Sequence, residues 1–380
     1  MPEINFRFSP PPGLRSGHAQ SLFSSSAVRR RLVRKRAQAV KAAQEELTLD
    51  GGPDEEVAID GVNPSPRVRL QAFWSRRPGA PKGARRPPPA VLFHGWEGSA
   101  DSNYMLANAA RLWDEGFDVL RFNFRDHGDT HHLNPGLFHS CRLDEVVHGL
   151  KDWQERFDIE CWNLAGYSLG GNFSLRVALN APEAGLRLRQ VVAVCPVINP
   201  AHAMRTMEEA GWFYRRYFER KWSRSLKKKK EIFPGLYGGD DMDRIRGLNA
   251  RTDYIAKKYS GFENAAEYYD GYSVGDGRLG SLDVPVTILT SADDPVVPAW
   301  DFEQLHGLPN LDLRMAAHGG HCGFLKNWRL ESAAEDLIAD RFRPGELDSL
   351  ENSRPGTKAG STAQAAVAAN PRKGTRSPVS

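Results

Sequence analysis

Short apolar segments alternate with segments of helical periodicity between residues 67 and 342, and this alternation limits the possible folds more than any other feature. The clearest apolar runs are 90–93, 119–124, 161–165, 191–197 and 284–289, with weaker ones at 68–74 and 311–315. Between several of them the apolar residues recur with a helical period, as at 143–157, where Val146, Val147, Leu150 and Trp153 share one face. The pattern predicts an α/β fold with a mostly parallel, twisted sheet and helices on both faces.

In such sheets the reactive groups lie in loops beyond the carboxyl ends of the strands. After the run 161–165 comes Gly-Tyr-Ser-Leu-Gly-Gly at 166–171, followed by a helical stretch at 172–179. This is G-x-S-x-G between a strand and a helix, an arrangement that lifts the serine above the sheet at the positive end of the helix. A glycine-rich helix start is the alternative. The setting favours Ser168 as a catalytic nucleophile.

A serine hydroxyl needs a base, and in folds of this kind the partners follow in the order serine, acid, histidine. The acidic pair Asp293-Asp294 follows the strand 284–289, and His318 and His321 follow the run 311–315. Singly, an Asp before Pro is often a turn residue and a lone His is often structural. Together, the order and the positions at strand ends predict a catalytic triad built on Ser168.

The oxyanion of an acyl-transfer reaction also needs hydrogen-bond donors. The first is predicted to be the backbone N–H of Leu169, which follows the nucleophile. The second is predicted in the loop 94–99 after the strand 90–93, where Gly95 allows a tight turn that aims the N–H of Trp96 inward. The alternative for this loop is a simple strand-ending turn.

Seven motifs together resemble the YheT-like family of α/β-hydrolases, over about residues 10–342. They are PPGLRSGHAQSLF, FHGWEGSADSNYM, FNFRDHG, AGYSLGGN, TDYIAKKYSGFENAAEYYDGYS, TSADDPVVP and AHGGHCGFL. The family includes bacterial predicted hydrolases and eukaryotic lipases acting on phospholipids or acylglycerols. The resemblance implies an α/β-hydrolase fold with a helical lid, Asp294 as the acid and His321 as the base. Asp293 and His318 would then support them.

One motif departs from the family pattern. Where relatives usually read N-F-R-G, this chain has Asp126 as the fourth residue, followed by a run that contains His127, His131, His132 and His139. Asp and His clusters can bind metals, but the spacing matches no known metal motif and a hydrolytic triad needs no metal. Hydrogen bonding within the loop is therefore predicted, with no metal and no cofactor.

The chain divides into three predicted parts. Residues 1–66 form an N-terminal extension with a basic segment and the first strands, 67–343 the α/β-hydrolase domain, and 344–380 a disordered tail without aromatic residues. Within the domain, about 200–281 is too long for a simple connection and predicts a helical lid. At 204–222 apolar side chains share one helical face, which either packs on the core or lines an acyl pocket above Ser168.

Charge and cysteine content restrict partners and compartment. The net charge of +4 is too small to indicate a nucleic-acid partner. The basic runs 29–41 and 227–230 are predicted to be solvated faces, with contact to an anionic membrane surface as the alternative. The four cysteines are widely spaced, and no signal peptide or membrane helix is evident. These features predict a cytoplasmic protein.

The sequence therefore predicts a serine hydrolase that cleaves carboxylic esters of medium or long acyl chains through an acyl-enzyme. Its substrate would be a small acyl ester or a lipid. The alternatives are a thioesterase or another acyl hydrolase or acyltransferase, since one fold serves many chemistries, and a non-catalytic binding protein of the same fold.

Overall fold

Parallel strands at the centre of the molecule account for the continuous apolar runs in the sequence. The structure is a computed structural model that describes residues 3–54, 67–79, 86–209 and 212–345. Its strands are β1 (Gln44–Pro53), β2 (Arg67–Ser75), β3 (Ala90–Phe93), β4 (Val119–Phe122), β5 (Trp162–Tyr167), β6 (Leu188–Val194), β7 (Val286–Ser291) and β8 (Leu311–Ala316). They form one sheet in the order β1-β2-β4-β3-β5-β6-β7-β8.

Strand direction in this sheet matches the predicted fold class. β1 and β2 pair antiparallel, as do β2 and β4, whereas every pairing from β4 to β8 is parallel. The predicted α/β-hydrolase fold, with its mostly parallel sheet, is confirmed. Strand β1 had no individual prediction, because in its Glu-Glu-Leu-Thr-Leu-Asp sequence only Leu47 and Leu49 alternate clearly towards the core.

Helices cover both faces of the sheet. They are α1 (Gly17–Ser24), α2 (Ala27–Arg36), α3 (Gln38–Ala42), α4 (Asn103–Asp114), α5 (Leu143–Arg156), α6 (Leu169–Ala184), α7 (Pro200–Glu209), α8 (Trp212–Ile232), α9 (Pro234–Tyr237), α10 (Leu248–Tyr259), α11 (Ala265–Asp270) and α12 (Ala333–Phe342). On one face α5 buries Leu150 and Trp153, while on the other α4 buries Leu106 and α12 buries Ile338. The core therefore lies in two layers, one on each side of the sheet.

The long insertion between β6 and β7 is helical. It contains α7 to α11, and the stretch 204–222 lies in α7 and α8 apart from 210–211, which lie outside the described residues. Within it Met204 and Met207 join the main apolar core, and Phe218 and Trp222 pack against that core. The insertion lies after the carboxyl end of β6, the edge at which the parallel strands present their loops.

The N-terminal helices pack on the hydrolase core. In α2 the guanidinium of Arg29 is buried and pairs with Glu335 of α12 at 2.9 Å, and Arg36 pairs with the same carboxylate at 3.0 Å. The basic segment is thus partly a packing element and partly an exposed face. The described residues up to Arg343 form one compact unit. The predicted disordered tail lies outside the described residues, apart from Pro344 and Gly345.

Candidate active site

Ser168 lies in a tight turn between β5 and α6, as the G-x-S-x-G motif predicts. Its backbone has φ 55° and ψ −118°, a conformation that costs energy for a residue with a side chain. The turn also depends on two glycines. A Cβ on Gly166 would lie 2.1 Å from the carbonyl oxygen of Gly170, and a Cβ on Gly170 would lie 2.4 Å from the carbonyl oxygen of His94. This backbone conformation places the hydroxyl of Ser168 above the edge of the sheet.

The structure brings the three side chains of the predicted triad together. The Nε2 atom of His321 lies 2.8 Å from the Oγ of Ser168. The Nδ1 atom of His321 lies 2.9 Å from one carboxylate oxygen of Asp294 and 3.1 Å from the other. The three residues come from loops after β5, β7 and β8.

The two neighbouring acids have different contacts. One carboxylate oxygen of Asp294 accepts hydrogen bonds from the backbone N–H groups of Val296 at 2.8 Å and Val297 at 3.0 Å, which fixes it towards His321. Asp293 instead accepts a hydrogen bond from the N–H of Gly320 at 2.8 Å and lies 3.6 Å from His318. Asp293 thus contacts the backbone of the histidine loop and the side chain of His318, whereas Asp294 contacts the imidazole of His321.

The N-terminal helix α1 supports the histidine loop. The hydroxyl of Ser21 accepts a hydrogen bond from the N–H of His321 at 2.8 Å. The side-chain amide of Gln20 donates to the carbonyl of Leu325 and accepts from its N–H. A Cβ on Gly320 would lie 2.1 Å from the carbonyl oxygen of Gly17. Sequence reasoning missed these roles, although all three α1 residues lie in the quoted motif PPGLRSGHAQSLF.

The two predicted oxyanion donors border the same space as Ser168. A Cβ on Gly95 would lie 3.1 Å from the Cβ of Ser168, so the loop after β3 passes directly beside the nucleophile. The N–H of Gly95 donates to the Tyr104 hydroxyl at 2.9 Å. Within the part of the chain that the structure describes, the N–H groups of Trp96 and Leu169 donate to no protein oxygen.

Two buried histidines, His94 and His127, support the loop after β3 through hydrogen bonds. The Nδ1 of His94 donates to the carbonyl of Gly95 and the Nδ1 of His127 donates to that of Arg125, each at 2.8 Å. The free Nε2 of His127 then accepts from the N–H of Glu97 at 3.1 Å. Burial lowers the pKa of His127 to about 4 and that of His94 well below its ordinary value, so both stay neutral at pH 7. The neutral rings act as fixed hydrogen-bond links.

Charge near the nucleophile raises the basicity of His321. Burial disfavours its charged form, but the carboxylate of Asp294 and the neighbouring Cys322 together outweigh burial and raise the pKa of His321 well above its ordinary value. Glu97, which borders the same space, has a pKa raised to about 7 by burial. The raised pKa of His321 matches an imidazole whose protonated form a carboxylate stabilises.

Within the described ranges, Cys195, His321 and Cys322 have metal-ligating atoms that lie within 4.8 Å of one another. Two thiols and an imidazole are donors that suit zinc. Both ring nitrogens of His321, however, already contact Ser168 and Asp294. A metal here would compete with those contacts, so the arrangement suits the imidazole as a base better than as a ligand.

The histidine-rich loop after β4 forms hydrogen bonds, and its side chains point in different directions. Asp126 pairs with the buried ammonium of Lys229 at 2.6 Å, and the Nε2 of His131 lies 2.8 Å from the hydroxyl of Ser225. Lys229 and Ser225 belong to α8. The loop therefore anchors the lid. The sequence showed that Asp126 departs from the family pattern but did not indicate this contact with α8.

Comparison with known proteins agrees with the α/β-hydrolase fold. Residues 88–235 match the family model described as "alpha/beta hydrolase fold". "Putative esterase YheT" of Escherichia coli is 25% identical over 66% of this chain and 74% of its own length. "Putative esterase slr0264" of Synechocystis is 24% identical over 87% of this chain and 90% of its own. The chain has the α/β-hydrolase fold and resembles the YheT-like family, as its motifs predict.

Two further proteins extend the comparison. "Phospholipase ABHD3" of Homo sapiens is 22% identical over 67% of this chain and 63% of its own length. A solved serine hydrolase from Cycloclasticus zankles has a TM-score of 0.51 at 19% identity and covers 79% of this chain and 98% of its own, a likeness of fold. This YheT-like chain is accordingly an esterase- or lipase-like α/β hydrolase.

In this YheT-like hydrolase a cavity of about 680 Å³ opens beside Ser168 and His321. Apolar side chains form part of its lining, and the basic side chains of Arg30, Arg34, Arg224 and Lys228 also border it. The apolar wall contains Trp96, Leu137, Phe138, Val197, Met204, Met207, Phe218, Trp222, Ile255, Tyr268 and Tyr272. Trp96 stacks on Phe218 with the rings 5.5 Å apart, so the predicted oxyanion loop contacts the lid directly. No described helix is long and apolar enough to cross a membrane.

Proposed function

We propose that this chain is a serine hydrolase that cleaves carboxylic esters of medium or long acyl chains through an acyl-enzyme. The observation that carries the proposal is the continuous series of contacts from Asp294 through His321 to Ser168, which borders a cavity that has apolar side chains of the lid in its wall. A nucleophile, a base and a group that orients the base are the parts that acyl transfer requires.

The first chemical step follows from these contacts. The Oγ of Ser168 attacks the ester carbonyl carbon while the Nε2 of His321, 2.8 Å away, takes its proton. Asp294 holds the Nδ1–H of the imidazole and stabilises the imidazolium that forms. The backbone N–H groups of Trp96 and Leu169 would donate to the carbonyl oxygen as it becomes negative.

Collapse of this intermediate breaks the bond to the leaving alcohol, which takes the proton from His321. Water then enters, gives a proton to His321 and attacks the acyl-enzyme carbonyl. Collapse of the second tetrahedral intermediate breaks the bond to the Oγ of Ser168, which takes the proton back from His321, and the free acid leaves. Every step uses side chains and backbone groups of this chain, so the proposal includes no metal and no cofactor.

The cavity supports the choice of acyl group. Met204 and Met207 of α7 and Phe218 and Trp222 of α8 form apolar wall beside Ser168. Met204 and Met207 have 8% and 7% of their surface exposed, so the part of the wall that α7 provides is well excluded from water. Each methylene that moves from water into such a site contributes about 0.8 kcal/mol, which favours longer acyl chains until the space is full.

The proposal is tested by an acyl-chain series of p-nitrophenyl esters with wild type and Ser168→Ala, together with labelling by a fluorophosphonate probe. We expect labelling and turnover in wild type only, with circular dichroism unchanged in the variant. Normal turnover by folded Ser168→Ala would exclude Ser168 as the nucleophile. If folded wild type neither labels nor turns over any ester or thioester, the chain is a binding protein of this fold.

A further inference from the structure

Four large apolar side chains on the first two helices are exposed. They are Leu22 and Phe23 at the end of α1, with 46% and 43% of their surface exposed, and Val28 and Leu32 on α2, with 63% and 41%. Most of the apolar side chains of the molecule are buried, so four exposed ones on two consecutive helices form an unusual group. We call these two helical segments the α1–α2 face.

Unpaired basic side chains surround them. Arg30, Arg31, Arg34 and Lys35 are exposed, and α2 contains no acidic residue. Among the described residues none of these four forms an ion pair, whereas their neighbours Arg29 and Arg36 both pair with Glu335. The α1–α2 face therefore presents a local positive charge that the small net charge of the whole chain does not reveal.

Apolar and basic side chains share one side of α2. Val28, Arg31, Leu32 and Lys35 occupy positions i, i+3, i+4 and i+7, which lie on one face of a helix. The opposite side carries Val33, which is buried in the core. Helices that lie in a membrane interface combine apolar side chains that enter the lipid with Lys and Arg that contact anionic headgroups, and α2 exposes both kinds.

The α1–α2 face adjoins the mouth of the active-site cavity. Ser24, the last residue of α1, and Ser25, which follows it, line the cavity together with Arg30 and Arg34. Helix α8 borders it as well with Tyr217, Arg224 and Lys228. The side chains of His18 in α1 and Tyr214 in α8 are 3.0 Å apart, which joins the two borders.

We propose that the α1–α2 face docks this hydrolase on an anionic phospholipid bilayer, with the cavity mouth towards the membrane. Leu22, Phe23, Val28 and Leu32 would enter the interface, while the basic side chains contact lipid phosphates. The charge favours an anionic surface, and the exposed apolar groups favour lipid over a soluble polyanion, which would leave them in water. This inference rests on the proposed function, because docking would present acyl esters to Ser168.

Flotation with lipid vesicles tests the docking. The full chain is mixed with vesicles of phosphatidylcholine alone or of equal parts phosphatidylcholine and phosphatidylglycerol, in 0.1 M salt on the order of physiological strength. We expect wild type to float with the anionic vesicles and to bind neutral vesicles at least about tenfold more weakly. No binding to anionic vesicles, or equal binding to both, would overturn the proposal. So would failure to bind vesicles combined with tight binding to soluble heparin.

Paired variants locate the binding surface. Arg31→Glu/Lys35→Glu should weaken binding to anionic vesicles by at least about tenfold, since each basic residue near the surface adds about fivefold in affinity. Val28→Ser/Leu32→Ser should weaken it several-fold. The matched control is Arg76→Glu/Arg187→Glu, which changes the net charge equally at exposed positions near the opposite end of the sheet. Equal loss in the control variant would show that total charge, not the α1–α2 face, governs binding.

Turnover of a soluble short-chain ester separates this inference from the proposed function. None of the four substituted α2 residues lines the cavity, so both α2 variants should hydrolyse p-nitrophenyl acetate at the wild-type rate. Normal hydrolysis with no vesicle binding by wild type would exclude docking and leave the hydrolase intact. Vesicle binding without any hydrolysis would exclude the hydrolase and leave a membrane-binding face whose use is not catalytic.

Discussion

The hydroxyl of Ser21 accepts a hydrogen bond from the backbone N–H of His321 at 2.8 Å and donates one to the carbonyl of Gly17 at 2.7 Å. It thereby links helix α1 to the loop that carries the proposed base, across 300 positions in the chain. The N-terminal helices thus have two roles in the structure. They brace the histidine loop from one side and border the cavity on the other.

Ser21→Ala should lower kcat about tenfold or more while changing KM little. The substitution leaves the buried N–H of His321 without its partner, which costs about 1–3 kcal/mol and loosens the loop. The control is Ser75→Ala, since Ser75 is also buried and donates to a backbone carbonyl, that of Val40 at 2.7 Å. Ser75 lies at the opposite end of the sheet, so its variant should lose stability without losing kcat. Equal kcat in the two variants would contradict a positioning role for Ser21.

The neighbouring acids provide a test of the proposed triad. Asp294→Asn should lower kcat by about three to four orders of magnitude, because an amide favours the wrong tautomer of His321. Asp293→Asn should lower it about tenfold, since it weakens only the bond to the Gly320 N–H. Turnover of both variants is measured at saturating substrate. An inactive Asp293→Asn beside an active Asp294→Asn would move the acid by one residue.

The pH dependence of kcat/KM should report the raised pKa of His321. The proposed base must be neutral, so activity is present above its pKa and is lost as pH falls through it. Because Asp294 raises the pKa of His321 above the ordinary value of 6.5, the acidic limb should have its midpoint above pH 6.5. Cys322 also raises it, so Cys322→Ser should shift the midpoint to lower pH. A midpoint well below 6.5 in wild type would speak against His321 as the base.

The buried pair of Lys229 and Asp126 should be important for stability. The ammonium of Lys229 also donates to the carbonyls of Asn134 at 2.6 Å and Gly136 at 2.9 Å. Lys229→Met leaves a buried carboxylate unpaired and should lower the free energy of unfolding by about 3–5 kcal/mol. Lys227→Met, at a side chain that is 70% exposed, should change it by less than about 0.5 kcal/mol. Urea denaturation of the two variants decides, and similar small losses would mean that the pair contributes little.

Sequence reasoning placed the strands well because a parallel sheet buries both faces of each strand. The run at 90–93 agrees with β3, whose four residues are apolar and buried, and the run at 311–315 agrees with β8 to within a residue, although Asp312 and Arg314 make that pattern less regular. The G-x-S-x-G motif located Ser168 because only small residues permit the close approach of Gly170 to the carbonyl of His94. Constraints of this kind act between residues that are close in sequence, so a short motif is enough to predict them.

Long-range contacts were not predictable in the same way. Nothing in the sequence near Ser21 indicates that its hydroxyl meets His321, and the basic run 227–230 gave no sign that Lys229 is buried on Asp126 while Lys227 is exposed. A helical period indicates which residues share a face but not what lies opposite.

The acyl-chain preference should depend on Met207, which lines the cavity beside the core. Wild type should give a higher kcat/KM for octanoate than for acetate esters of p-nitrophenol, because the apolar wall removes the longer chain from water. Met207→Ala removes part of that wall and should lower the ratio of the two values about tenfold, or about 1.4 kcal/mol. The ratio is the informative quantity, since loss of folded protein affects both substrates equally.

The matched control is Met242→Ala, a fully buried lid methionine that does not line the cavity. It should lower stability by a similar amount, about 2–5 kcal/mol, and leave the ratio unchanged. If acetate is the better substrate of wild type, or if both variants alter the ratio equally, the apolar side chains of α7 are core packing and not an acyl site.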